Sequence, residues 1–272
     1  MKISIAIPDS ALSDEITQKE KSSKISKIAR ACAIFQIDEI FIYHEILGEK
    51  SDAKLMSTIL KYLETPQYFR RYLYPKMDEL KYSGILYPLK IPSHNQISDP
   101  KKIKTNDIRE GLIVSVKGKK FLDVGIKTLI PYFSKEQPGT RVSILFKSGY
   151  PNFVIKEISK DQINEYWGYK VKERGNLLSL LSSWNGQIIL TSSKGKVITQ
   201  EVAKGIVENK KPLLLVFGSP ERGIHEILGG TINQLQNSKI LNFFPNQATE
   251  TVRLEEAIIG SLSILNLFRT SY

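Results

Sequence analysis

Two stretches of alternating strand and helix signals flank a helix-free middle, and this break in periodicity limits the architecture more than any single motif does. In the first stretch, residues 3–8 form a short apolar strand. Residues 22–36 carry Ile25, Ile28, Ala29, Cys32 and Phe35 at helical spacing, with Lys24, Lys27 and Arg30 off that stripe. Residues 39–43 (EIFIY) read as a second strand. Ser51 is a candidate N-cap for a helix bearing Leu55, Ile59 and Leu63. Thr65-Pro66 interrupts that helix, because proline disfavours helical geometry in the residue before it. A basic-aromatic segment follows, with Tyr68, Phe69, Arg70, Arg71, Tyr72 and Tyr74.

From about residue 91 to 158 the helical period is lost. Short strand-like runs replace it at 112–116, 121–124, 128–130, 141–146 and 153–155, and Lys117-Gly118-Lys119 is a hairpin signal. Five short strands in such a span fit a small barrel of OB-like size. Strand and helix then alternate again: strands at 169–171, 187–191, 213–217 and 239–244, helices at 177–182, 197–206, 224–228 and 253–268. The run LLLVF at 213–217 is continuously apolar, as a strand buried on both faces must be. The economical architecture is one α/β domain interrupted by a β-barrel: residues 1–90, an insertion at 91–165, and residues 166–272. Neither flank alone supplies enough strands for a sheet with a core.

Composition narrows the function. Thirty-nine Lys and Arg against 28 Asp and Glu give a net charge of +11, which favours a polyanionic partner, nucleic acid above all. A single cysteine, Cys32, excludes an internal disulfide framework and a cysteine-rich zinc site, and fits a reducing cytoplasmic compartment. The longest apolar run, 257–268, is shorter than a membrane span and is broken by Ser261, Ser263 and Asn266. No P-loop, no G-x-G-x-x-G after the first strand and no G-x-S-x-G elbow is present. His44, His94 and His225 are too scattered for a metal site.

Two loops have the composition of ligand sites. Residues 217–223 (FGSPERG) follow the apolar strand at the end where open α/β sheets bind ligands, and their glycines allow close backbone approach. Residues 244–252 form a polar, turn-rich lead into the closing helix. As plain structure, the first is a strand–helix turn and the second a long N-cap region.

Together, V-F-G-S-P-E-R-G-I (216–224) and F-P-N-Q-A-T-E-T-V-R-L-E-E-A-I (244–258) resemble the SPOUT class of RNA methyltransferases, which have an α/β-knot fold. The subgroup most similar is that of the RNA uridine N3 methyltransferases with an OB-like insertion. T-P-Q-Y-F-R-R-Y-L-Y-P (65–75), R-E-G (109–111) and Y-W-G-Y (166–169) also resemble it. The resemblance implies a trefoil-knotted C-terminal region, S-adenosylmethionine as methyl donor, RNA as substrate, a homodimer, and no metal. Carried over by position, the donor pocket comprises Thr191 and Ser192, then Phe217, Gly218, Ser219 and Gly223, then Leu241, Asn242, Phe244, Asn246 and Gln247.

Methylating uridine at N3 requires loss of the N3 proton or stabilisation of the anion that forms. Glu250 is the candidate base and Arg253 the candidate partner of the O4 or O2 charge. Against these roles stand a helix N-terminal carboxylate for Glu250 and pairing with Glu256 for Arg253. Position 250 departs from the family pattern, which accepts a basic residue there, so Arg253 transfers more securely. Tyr68, Arg70 and Arg71 are candidate RNA contacts, and Tyr132, Phe133 and Tyr150 are aromatics available to the barrel. Two rival readings stay open: a non-catalytic RNA-binding assembly factor with the same fold, and an enzyme of the same class that acts on a ribose 2′-hydroxyl or a guanine nitrogen.

Overall fold

The computed structural model describes residues 1–133, 135–235 and 237–269. In chain order the elements are β1 (Ile3–Pro8), α1 (Gln18–Ile34), β2 (Glu39–His44), α2 (Lys50–Glu64) and α3 (Gln67–Leu73). Then come β3 (Ile108–Val116), β4 (Lys119–Asp123), β5 (Ile130–Pro131), β6 (Arg141–Ser148) and β7 (Val154–Ile158). The chain continues through β8 (Lys170–Asn176), α4 (Leu177–Ser183), β9 (Gln187–Val197), α5 (Gln200–Glu208), β10 (Leu213–Val216), α6 (Ile224–Leu228), β11 (Ser238–Asn242) and α7 (Leu254–Asn266). Two compact units result, each discontinuous in sequence. Residues 1–64, 78–89 and those from 168 onward form the first; residues 65–77 and 90–167 form the second.

The first unit is built on a six-stranded sheet in the order β11-β9-β10-β1-β2-β8. Every pairing in it is parallel. Parallel strands need crossovers that cover both faces, and the central strands β1 and β10 are accordingly buried along their whole length. Ala6, Phe41, Tyr43, Leu190, Leu214 and Val216 pack on one face with Leu180 and Leu181 of α4 and Ile224 and Leu228 of α6. The alternate residues Ile5, Ile7, Ile40, Ile42, Leu213 and Leu215 are buried as well. Helix α1 packs against α2 and α7.

Local chemistry moves several boundaries away from the apolar periodicity. Helix α1 starts before its apolar stripe, because Thr17 and Glu20 form a reciprocal cap: the Thr17 hydroxyl accepts from the Glu20 amide at 3.2 Å and the Glu20 carboxylate accepts from the Thr17 amide at 2.8 Å. Ser51 is not an N-cap. Helix α2 already begins at Lys50, and the Ser51 hydroxyl donates to Glu49. Strand β9 does not end at Thr191. It leaves its ladder with β11 and rejoins it, so that Ile240 pairs with Leu190 but Leu241 pairs with Lys196. The residues skipped, 191–195, are a wide bulge. Lys24 is off the apolar stripe yet fully buried, its ammonium bonded to the Asp14 carboxylate and 3.8 Å from Glu255. None of the described helices is long and apolar enough to cross a membrane.

The second unit holds a curled antiparallel sheet in the order β5-β4-β3-β6-β7. Lys117 and Gly118 both have positive φ in the β3–β4 turn, as a tight two-residue hairpin requires. Ile113, Leu122, Val124, Ile130, Ile144 and Phe146 fill its core. Tyr132, just past β5, donates its hydroxyl to Glu157 of β7 at 2.6 Å and so links the two edges of the curl. The R-E-G segment lies at the centre. Arg109 is buried and donates to the carbonyls of Ile97 and Val124 at 2.8 and 3.2 Å. Glu110 is also buried and accepts from Arg141 at 3.1 Å, from Ser143 at 2.7 Å and from the indole of Trp167. Gly111 completes the motif, because a Cβ there would lie 2.8 Å from Leu122.

Removing the Glu110 carboxylate takes the acceptor from the Ser143 hydroxyl and the Trp167 indole and leaves Arg141 with Thr65 in place of its carboxylate. Glu110→Ala is therefore expected to lower stability by about 3 kcal/mol, read as a shift in the denaturant midpoint of the full chain. A loss below about 1 kcal/mol would mean that water replaces the carboxylate and that the network is not what holds this unit.

Candidate functional site

All six strands of the parallel sheet point their carboxyl ends the same way, and the loops after β10 and β11 open there together with the β9 bulge. They enclose a cleft of about 600 Å³ within the first unit, in the size range of small-molecule sites. The bulge supplies Thr191, Ser192, Ser193 and Lys194; the loop after β10 supplies Phe217, Gly218, Ser219 and Gly223; and the chain after β11 supplies Phe244, Gln247, Glu250 and Arg253. Leu241 and Asn242 line it from the end of β11. Of the residues expected in a donor pocket, Asn246 is exposed and is not among those that line the cleft.

The loop after β10 is held rigidly. Its turn closes on itself, with the Ser219 amide donating to the Arg222 carbonyl at 2.9 Å and the Arg222 amide donating to the Ser219 hydroxyl at 3.0 Å. Gly218 is required by close approach, since a Cβ there would fall 2.8 Å from the Arg222 carbonyl oxygen. Two buried groups from β2 and its end anchor the loop. Tyr43 donates its hydroxyl to the Phe217 carbonyl at 2.7 Å, and burial, with Glu45 and Asp9 nearby, pushes its ionisation far above the usual phenol range. Glu45 accepts from the Arg222 guanidinium at 2.8 Å and from the Ser10 hydroxyl at 2.5 Å. Removing either partner of a buried ion pair strands the other, so this pair fixes the loop rather than merely decorating it.

At the opposite wall, Asn242 donates its side-chain amide to the Ser193 carbonyl at 2.9 Å and accepts from the Phe244 amide at 2.8 Å, which ties the bulge to the chain after β11. Gln247 donates to the carbonyls of Thr249 and Glu250 and shapes the approach to α7. Arg253 is the N-cap residue of α7, and its amide donates to Glu256 at 3.0 Å. Its guanidinium does not pair with Glu256; it lies 3.7 Å from Glu15. Glu250 is exposed, and its carboxylate has no ion-pair partner among the described residues.

Several lining residues carried no motif. Asp14 reaches the cleft from the segment after β1, held by buried Lys24. His225 and Ser261 also line it, and the His225 Nε2 and the Ser261 hydroxyl are buried without a hydrogen-bond partner. Buried polar atoms without partners are uncommon in folded proteins, and these two, unpartnered among the described residues, line the cleft. A lone aspartate, histidine and serine at positions 14, 225 and 261 give no spacing signal. Among the described residues no cluster of His, Cys, Asp or Glu is arranged to hold a metal.

The residues expected to touch RNA all fall in the second unit. The Tyr68 ring packs on Gly125, whose φ is +76° and whose place would admit no Cβ, and it meets Phe69 edge to face. Arg70 donates its Nε to the Thr65 carbonyl at 2.9 Å. Arg71 is exposed.

Comparison with known proteins follows the same lines. A family described as "Putative RNA methyltransferase" matches residues 2–265. The 28S rRNA (uridine-N(3))-methyltransferase of Homo sapiens is 27% identical over 97% of this chain and 77% of its own length. Its counterpart of the same name in Mus musculus is 28% identical over 97% of this chain and 75% of its own. An uncharacterized protein of Halobacterium salinarum is 28% identical over 98% of this chain and 99% of its own. With the match running through both units and every wall of the cleft, the chain belongs to this family of RNA methyltransferases.

Proposed function

We propose that this enzyme transfers a methyl group from S-adenosylmethionine to N3 of a uridine in ribosomal RNA. The observation that carries the reading is the convergence of three separate loops on one cleft with Arg253 at its mouth, in a chain of this family. The names of the human and mouse relatives support the acceptor. The cleft fits the donor in volume, and the unpartnered His225 and Ser261 atoms offer it hydrogen bonds. Thr191, Ser192, Phe217, Gly218, Ser219, Gly223, Leu241, Asn242, Phe244 and Gln247 would hold it. When bound, the sulfonium supplies a methyl group that is already activated, so the protein's task is alignment.

The chain's own groups deal with the acceptor. The neutral uridine N3 keeps its proton until a base removes it. Glu250, with no cation on its carboxylate, takes that proton, and the Arg253 guanidinium stabilises the charge that spreads onto O4 and O2. Asp14 also faces the cleft, but its carboxylate is already engaged by the Lys24 ammonium. That occupied acceptor favours Glu250 for the proton and leaves Asp14 a positioning role.

The reading extends to the fold. We infer a trefoil knot in the first unit and an OB-like barrel in the second. The strand order β11-β9-β10 supports the knot, because the chain steps inward to β10 and then returns past β9. The edge-to-edge Tyr132–Glu157 link supports the barrel. RNA is held mainly by the second unit. It carries 17 Lys and Arg against 8 Asp and Glu, or +9 of the chain's +11, which is the electrostatic footprint of a nucleic-acid surface. The homodimer stays part of the proposal, with the exposed Ile259 of α7 and Leu267 just beyond it as apolar surface for a second copy.

Isothermal titration tests the donor pocket. S-adenosylmethionine or S-adenosylhomocysteine is expected to bind in the micromolar range, about −8 kcal/mol. Gly223 has ordinary φ and open space where a Cβ would point, so Gly223→Leu should keep the melting temperature and lose at least about tenfold in donor affinity, about 1.4 kcal/mol. Unchanged affinity in that variant would place the donor elsewhere.

The acceptor chemistry is tested by mass spectrometry of RNA nucleosides after reaction. Glu250→Gln is expected to lower kcat by about 10²- to 10⁴-fold with donor affinity kept, and Asp14→Asn by much less. The reverse order would assign the proton to Asp14, and methylated ribose or guanine as product would replace the acceptor.

A further inference from the structure

In the second unit one aromatic ring stands outside every packing arrangement. Phe133 is 99% exposed, whereas its neighbour Tyr132 packs against the barrel core. A fully exposed phenylalanine leaves apolar surface in water, and here the residue before it, Tyr132, is held in place while Glu136 farther on is bonded to Lys120. Before it, the Tyr132 amide donates to the Lys120 carbonyl at 3.2 Å and the Tyr132 hydroxyl is held by Glu157. After it, the Glu136 carbonyl accepts from the Lys120 ammonium at 2.8 Å. The ring is thus presented to solvent next to an anchored residue, Tyr132.

Its surroundings are cationic. The antiparallel register pairs Phe121 with Pro131, the Tyr132 amide bonds the Lys120 carbonyl beyond it, and exposed Lys119 precedes Lys120 on β4. Lys117 lies in the adjoining turn and Lys135 two residues beyond Phe133, and both are exposed. A flat apolar ring set among exposed ammonium groups matches a ligand with phosphates and free π faces. Single-stranded nucleic acid has both; a duplex has the phosphates but keeps its base faces stacked on one another.

Resting on the RNA reading above, we propose that Phe133 is a stacking post for an unpaired RNA base, with Lys117, Lys119 and Lys135 holding the adjacent phosphates. The enzyme therefore selects RNA that carries an unpaired segment. Arginines and lysines alone would bind duplex and single strand by charge; the ring supplies the discrimination.

The experiment uses the full chain and fluorescence anisotropy with a labelled 12-nucleotide oligouridine and a duplex RNA of equal length. Phe133→Ala is expected to weaken single-strand binding about tenfold or more, in line with the alanine cost of a stacked base, and to leave duplex binding and the salt slope unchanged. Phe133→Trp is expected to keep the affinity, with indole emission quenched as the oligouridine binds. The proposal is overturned if Phe133→Ala binds the single strand like the unaltered protein, if it loses equally on duplex, or if the tryptophan emission ignores bound RNA. Failure of the unaltered chain to bind any RNA would instead fail the broader reading, and this proposal with it, whereas normal binding by that chain isolates the fault to Phe133.

Discussion

Parallel pairing in the first unit is the constraint on which the cleft depends. A parallel ladder cannot be closed by a hairpin, so each strand must hand the chain over a helix before the next begins. The carboxyl ends of β9, β10 and β11 consequently share one edge, although they fall at Val197, Val216 and Asn242 in sequence. The cleft is what remains when three such ends are crowded together and none is capped by its own helix. Gly218, which only a residue without a Cβ could fill, and the β9 bulge are the local departures that keep that edge open.

Crowded loops need to be held, and buried charge does the holding. Glu45 at the end of β2 grips Arg222, 177 residues away, and Tyr43 beside it grips the Phe217 carbonyl. On the other side Lys24 of α1 holds Asp14 and lies near Glu255 of α7. The Glu45–Arg222, Tyr43–Phe217 and Lys24–Glu255 ties join the N-terminal segment to the C-terminal one, so the pocket loops borrow rigidity from strands they do not follow. Such pairs contribute little net stability compared with apolar packing, yet they are costly to break singly. Their effect is to specify position, which a transfer reaction between two aligned partners requires.

Much of this scaffold was readable from sequence because the strands are short apolar runs. ISIAIP, EIFIY and LLLVF announce β1, β2 and β10 directly. The second half of β9 was not readable, since TSSKGKV is polar and strand only by pairing with β11. Lys24 looked like a solvent residue because periodicity marks position and not partner. The loops at 217–223 and 244–252 stood out by composition, but His225, Ser261 and Asp14 join them only through the fold. The R-E-G and Y-W-G-Y segments stood out only by their resemblance to a family, and R-E-G with Trp167 proves to be the buried polar centre of the second unit.

The distribution of charge has a physical logic of its own. The first unit, which contains the cleft, holds 22 Lys and Arg against 20 Asp and Glu, while the second carries nearly all the excess. A donor bearing a sulfonium would be repelled by a strongly basic pocket, and that repulsion would grow in a site from which water is excluded. RNA demands the opposite, a dense field of cations that replaces its counterions. One surface cannot satisfy both demands at close range. Placing the excess cations on a separate unit leaves the cleft with mixed charge, Lys194 and Arg253 against Asp14, Glu221, Glu226 and Glu250.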